Sequence, residues 1–502
     1  MKNWKSSLMA TVALTCFGAV ESANAQTYIY GGGASFPAPV YRQLFDCVSA
    51  PANGYGTSIP QMAIAAACPN ALGNYPSLQV LVLYSAVGSS NGKKAFAEHN
   101  PASLPTPPSS VTVPYTSSLQ PSPGAYPYPT IHFAGSDDPW FASDQTTYDT
   151  ANATYGKPNG GTADFGHVIQ VPAVIGPVSI AYNNDGAGNP IAADIKLSRK
   201  ALCGIFSGHI TQWNNAILTA DNGGQIGTGT IKVVHRSDGS GTNYLFTSAL
   251  AAQCVSEFGP NSESDPTVVS YEFPWSDRKA DQVTNRCDAP HGTAPAGSNA
   301  LPYRGSNETN WPDKGTDQCG TAIPNPGGGT FVGVSGNSSI AAYVMANAGA
   351  IGYSTADYVQ PVVSSGAKTA KLENYWGEFV APTPQASALA MQSASPVFDD
   401  TTRKNALIWS AQAVAPYPKS LGSYPIAGFS FINTYQCYAD TNVATWLKNL
   451  LQWTWGDAVS AQIIEDNGFA VPPNNWLLEV QKLVFGADGI NGANCAGKPG
   501  AN

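Results

Sequence analysis

Residues 233–246 read VVHRSDGSGTNYLF. Val233 and Val234 are β-branched and suit a buried strand, and the run from Tyr244 onward has the apolar spacing of a helix. Between them, seven residues hold Arg236, Asp238, Gly239, Ser240, Gly241 and Thr242. Glycines let a backbone turn tightly and approach a ligand, and the first N–H groups of a helix have no partner within it. Such a terminus attracts anions through its dipole and free donors. Ser240 and Thr242 add hydroxyls, and Arg236 offers a planar fork that matches an oxyanion, with Asp238 placed to orient it. The same residues also describe a plain capped turn beside a surface arginine, and composition alone does not separate the two readings.

The same strand–turn–helix unit recurs along the chain. LQVLVLYSAVGSSNGKKAFAEH (78–99) carries its turn at Gly88–Gly92, and AGAIGYSTADYV (348–359) supplies another strand. Strands alternating with helices indicate an α/β protein with largely parallel sheets, whose ligands bind where strand ends meet helix starts. No internal repeat is evident. Residues 99–130 hold nine prolines and read as an extended insertion, and residues 50–77 and 280–330 are aperiodic and rich in Gly, Pro and Asn. All three read as surface insertions on a smaller scaffold, the last two clamped by disulfides.

Composition bounds the partners. The chain has 502 residues, enough for two or three domains, with 43% hydrophobic content and only 11% charged residues. A net charge of −9 argues against nucleic acid and anionic membrane surfaces as main partners, while leaving room for a locally electropositive site. The N-terminus, MKNWKSSLMATVALTCFGAVESANAQ, has two lysines, an apolar core and ANA before Gln26, the pattern of a secretory signal peptide over residues 1–25. Thr15 and Ala13 before Cys16 do not suit a lipoprotein signal. Removing the signal leaves cysteines 47, 68, 203, 254, 287, 319, 437 and 495. An even count in an oxidising compartment implies four disulfides. Sequence permits many pairings, and neighbours (Cys47–Cys68, Cys203–Cys254, Cys287–Cys319, Cys437–Cys495) are the most economical.

Three further motifs carry chemistry. GGGASFPAP (31–39) reads as a turn after the short strand YIY, with Ser35 able to N-cap a helix from Pro37. AVGSSNGKKAF (86–96) places Ser89 at a strand-to-helix turn and is not a Walker A loop, since residue 87 is Val. IHFAGSDDPW (131–140) ends a strand in two carboxylates. A carboxylate beside an anion site makes sense only if the ligand brings a proton, and phosphate does.

Taken in order, GGGASFPAPVY, GSSNG, FAGSD, HRSDGSGT, GNSSIAAYVMANAGAIGY and SYPIAGFSF resemble the periplasmic phosphate-binding proteins of Pst-type ABC transporters. LCGIFSGHITQWN, GFSFINTYQCYAD and the ending NCAGKPG look closer to the DING branch of that superfamily. The resemblance implies a type II periplasmic binding protein fold, with two α/β lobes, a hinge and a ligand cleft between them. The chain would cross near Pro172 and return near Ile426. Residues 26–173 and 426–502 would then form lobe I and residues 174–425 lobe II. It implies a phosphate site made of Ser35, the Phe36 backbone, Ser89, Asp137, Arg236, Ser240, Gly241 and Thr242, with Asp238 steering Arg236. Ser35 stands where threonine is more usual, and Asp238-Gly239 follows the transporter pattern rather than the Glu-Ser common in DING proteins. The DING pattern also supports Cys203–Cys254 and Cys437–Cys495.

The function so implied is an exported, monomeric solute-binding protein that sequesters inorganic phosphate, using no cofactor or metal, and delivers it to an ABC permease. A secreted DING-like phosphatase acting on phosphoesters is the rival. Against it, the six histidines are scattered with no HxH or HxxxH pair, and DGSGT is not the GxSxG nucleophile elbow. An adhesive or structural role finds support only in the Pro-rich and aromatic insertions.

Overall fold

The computed structural model describes residues 27–49, 68, 80–105, 127–154, 165–184, 194–206, 208, 210–254, 270–271, 277–278, 311, 331–355, 357–358, 368–413 and 415–501. The signal segment 1–25 lies outside these residues, as do nearly all of 50–77 and 280–330, most of the Pro-rich 99–130, and the Cys287–Cys319 pair.

One sheet organises the chain. Its strands are β1 (Thr27–Gly33), β2 (Val80–Ser85), β3 (Phe133–Ser136), β4 (Val168–Asn183), β5 (Lys232–Arg236), β6 (Phe331–Val334), β7 (Ala350–Thr355), β8 (Lys368–Thr369) and β9 (Ala427–Tyr435). They lie in the order β2-β1-β3-β9-β4-β7-β5-β6, with β8 also paired to β4. The outer pairings β1–β2, β1–β3, β5–β7 and β5–β6 are parallel, as the alternating pattern requires. The centre is not. β9 runs antiparallel to both β3 and β4, and β4 runs antiparallel to β7. The reason is topological: β4 carries the chain out of one half of the sheet and β9 brings it back. Along its length β4 first pairs with β9 and then, from Val178 to Asn183, with β7, so a single strand belongs to both halves. All its residues are buried, consistent with the run VIQVPAVIGPVSIAY, whose only polar side chains are Gln170 and Ser179 ahead of the closing tyrosine.

Helices α1 (Ala38–Val48), α2 (Ser89–Ala97), α3 (Gly241–Gln253) and α4 (Asn337–Ala346) follow β1, β2, β5 and β6 directly. Two local expectations are corrected. The run Gly31–Gly33 is strand, not turn: it pairs with both β2 and β3, and a methyl on Gly31 would lie 2.2 Å from the Phe133 ring. Helix α1 starts at Ala38 with Pro37 at its cap and no side-chain cap bond, so Ser35 is not its N-cap and its hydroxyl is turned elsewhere. Three disulfides join Cys47 to Cys68, Cys203 to Cys254 and Cys437 to Cys495. The first ties the end of α1 to Cys68, and the second joins the end of α3 to the helix Arg199–Phe206.

Candidate functional site

The turns after β1, β2, β3, β5 and β6 meet at the carboxyl ends of their strands, where open α/β sheets bind ligands. At their meeting point sits Asp137, fully buried one residue past β3. Its Oδ1 accepts from Ser430 Oγ at 2.8 Å, and its Oδ2 lies 3.3 Å from Thr242 Oγ1 and 3.4 Å from Ser89 Oγ. Ser89 Oγ in turn accepts from the Asp137 N–H at 3.2 Å. Burial pushes the Asp137 carboxyl up to about 7, against the stabilising bond from Ser430 and the charge of Arg236. Here, then, is a carboxylate surrounded by donors that does not hold its charge cheaply.

The neighbouring Asp138 has a different task. Its carboxylate pairs with the buried Lys93, which also reaches Asp144 at 2.8 Å and the Pro139 carbonyl at 2.9 Å. Lys93 is therefore committed to the segment 138–144, which it ties to α2.

Arg236 closes β5 and is buried. Its Nε and Nη2 form a fork on Asp238, the former at 2.6 Å. Burial alone would lower the Arg236 pKa, but the Asp238 carboxylate outweighs it and keeps the guanidinium charged. Asp238 is likewise pushed up by burial, yet Arg236 holds it below the usual carboxylate range. Asp238 Oδ1 also accepts from Gly336 N at 3.1 Å, tying the turn after β5 to the turn after β6. The remaining Arg236 nitrogen, Nη1, is directed at Asn337, whose amide also meets Phe36 N, Ser35 Oγ and Thr242 Oγ1.

The structure thus brings Ser35, Phe36, Ser89, Asp137, Arg236 and Thr242 into one buried network, with Asp238 behind Arg236. Gly241 is where two turns touch: a methyl there would lie 2.5 Å from both Ser89 Oγ and Asp138 N. Gly88, at φ +96, is equally constrained, since a methyl would lie 2.6 Å from Gly239 O. Ser240 stands one step aside. Its Oγ accepts from Asn243 N at 3.1 Å and caps α3, while its hydroxyl hydrogen remains able to donate. Helices α2, α3 and α4 all begin at the network, so three helix N-termini with their positive dipole ends face one place. Two members were not foreseen, Asn337 and Ser430. Both lie in stretches quoted above, GNSSIAAY and GFSF, and Asn337 follows a strand and a glycine as Ser89 does. Among the described residues, no group of three or more His, Cys, Asp or Glu side chains is placed to hold a metal ion.

A family model described as the PBP superfamily domain matches residues 18–458. The chain belongs to the PBP superfamily. Among its relatives, alkaline phosphatase L of Pseudomonas aeruginosa strain PAO1 is 26% identical over 474 residues, covering 94% of this chain and 92% of that protein. A phosphate-binding protein from an unknown prokaryotic organism is 27% identical over 436 residues, covering 86% and 93%. Among solved structures, a high-affinity periplasmic phosphate-binding protein, PfluDING, crystallised with phosphate, superposes with a TM-score of 0.58 at 24% identity. That match covers 95% of this chain and all of the other. This likeness shows the type II fold of the superfamily: a mixed α/β architecture in two halves, here joined through β4 and β9.

Proposed function

We propose that this chain is an exported solute-binding protein that encloses one inorganic phosphate ion between its two halves. The observation that carries the reading is Asp137. A buried carboxylate amid an arginine, several hydroxyls and three helix N-termini suits an oxyanion only if that anion supplies a proton. Near neutral pH phosphate carries one, and Asp137 accepts it as a hydrogen bond while the surrounding donors serve the other oxygens. In this reading Ser35, Phe36 N, Ser89, Arg236, Ser240, Gly241 N and Thr242 are the donors, and Asp238 orients Arg236. Residues 26–173 and 426–502 form one lobe and 174–425 the other, with crossings near Pro172 and Ile426. Names borne by relatives, phosphate-binding protein and PstS among them, support the same ligand. The protein acts as a monomer in the periplasm or outside the cell and hands phosphate to an ABC permease.

A second reading, hydrolysis of phosphoesters, is favoured by one observation, the name of the Pseudomonas relative. The geometry favours binding. Ser35, Ser89, Asp137, Arg236, Ser240 and Thr242 are all buried, which suits a small ion better than an ester with an organic part. Isothermal titration of phosphate-stripped protein tests both together. One-to-one binding of phosphate with no release of p-nitrophenol from its phosphate ester supports the binding reading. Turnover of the ester, or no heat with millimolar phosphate, overturns it.

A further inference from the structure

Asn337 opens α4 and its side chain is fully buried. Two of the groups that face its amide can only donate: the Phe36 N–H at 3.3 Å and Arg236 Nη1 at 3.1 Å. The atom that meets them must therefore be the carboxamide oxygen, which fixes the orientation of the amide. The hydroxyls of Ser35, at 3.1 Å, and Thr242, at 3.0 Å, reach the same oxygen. Two obligate donors and two hydroxyls, from the segment after β1, the end of β5 and the first turn of α3, converge on one neutral oxygen that has only two lone pairs. Such a cluster is better matched to an oxygen of an anion than to an amide. It also consists of four of the groups assigned above to phosphate.

We propose that Asn337 is an internal competitor for the anion: its carboxamide oxygen takes the donors of one ligand oxygen, and phosphate binds by displacing it. This rests on the phosphate reading of the site. The exchange is favourable for an anion because bonds from Arg236 and a backbone N–H to charged oxygen are shorter and stronger than those to a neutral amide. A neutral polar solute has no such advantage and is held off. The Asn337 side chain thereby satisfies the buried N–H of Phe36 and the third arm of Arg236 whenever the ligand does not, at the expense of affinity.

Asn337→Ala removes the competitor and leaves the helix start intact, since the bond from Ser354 Oγ is to the Asn337 backbone carbonyl. The test uses the full mature chain, stripped of phosphate and labelled with ¹⁵N-phenylalanine. The Phe36 amide resonance should move on Asn337→Ala before any anion is added, because the two residues meet only through space. Phosphate titrated calorimetrically should then bind about five- to tenfold more tightly to the variant, the scale of a freed neutral hydrogen bond. An unmoved Phe36 signal overturns the proposal whatever phosphate does. So does equal or weaker phosphate binding by the variant, which would make Asn337 a ligand contact or a bystander. If the Phe36 signal moves but neither protein binds phosphate, the phosphate reading itself is what fails.

Discussion

Replacing Asp137 by asparagine separates the cost of its charge from its service to the ligand. In the folded protein the carboxyl keeps its proton to about pH 7, whereas in the unfolded chain it loses it near 3.8. Between those values the folded state binds more protons than the unfolded state, so stability falls as pH rises. One pKa unit corresponds to about 1.4 kcal/mol, so the penalty builds to the order of 4 kcal/mol by pH 7–8 and is absent below about pH 4. Asparagine keeps the shape and can keep the bonds to Ser430 and Thr242, but it does not ionise. The buried Asp138 and Asp357 also resist ionisation, yet they are common to both proteins and largely cancel in the comparison. Urea unfolding of phosphate-stripped wild type and Asp137→Asn at pH 4, 6 and 8 supplies the difference directly. The variant should gain on the wild type as pH rises, by a few kcal/mol across the range. Parallel stability curves for the two proteins would show that Asp137 is not held near neutrality by burial, and the electrostatic basis of the site would be refuted.

Two other substitutions probe the site's frame. Arg236→Ala removes a charge-assisted fork worth about 1.5–3 kcal/mol, so phosphate affinity should drop by roughly 10- to 150-fold in calorimetry, and an unchanged affinity would reduce the motif to a structural turn. Gly241→Ala puts a methyl 2.5 Å from Ser89 Oγ and Asp138 N, which prevents the turns after β2 and β5 from meeting. Phosphate binding should be lost and the thermal transition without ligand should fall, since overpacking a buried contact costs about 1–3 kcal/mol, while far-ultraviolet circular dichroism keeps the native signature; full affinity would show that this contact is not needed.

Much of this was legible in the sequence because the chemistry is local. RSDGSGT, GSSNG and FAGSD each sit at a change from strand to helix or turn, and the structure brings residues of all three together; which of their side chains would meet an anion came from the family resemblance and not from the local pattern. Non-local features were harder. Ser430 belongs to a returning strand 293 residues from its partner Asp137, and nothing in GFSF alone sets its serine apart from an ordinary strand hydroxyl. Asn337 was hidden for a different reason: a polar residue after Gly336 reads as a helix start, and only the approach of Phe36 and Arg236 reveals its second task. The glycine run at 31–33 looked like a turn because a strand rarely tolerates three glycines. It is strand because β1 is squeezed between β2 and β3 beneath the Phe133 ring. The antiparallel centre of the sheet was likewise invisible to local alternation, since it follows from the chain leaving and re-entering one half.

The central claim is that Asp137 reads the proton on the anion, and competition between phosphate and sulfate at pH 8 tests it most directly. At that pH Asp137 is mostly ionised. On the proposed reading it accepts a hydrogen bond from protonated phosphate but would face unprotonated sulfate with lone pair against lone pair. A site built around one such buried bond discriminates by about 10⁴–10⁵. Wild-type protein titrated with phosphate in a large excess of sulfate should give the same affinity as without it, and Asp137→Asn should become sensitive to sulfate. Sulfate binding to the wild type within tenfold of phosphate would contradict the account.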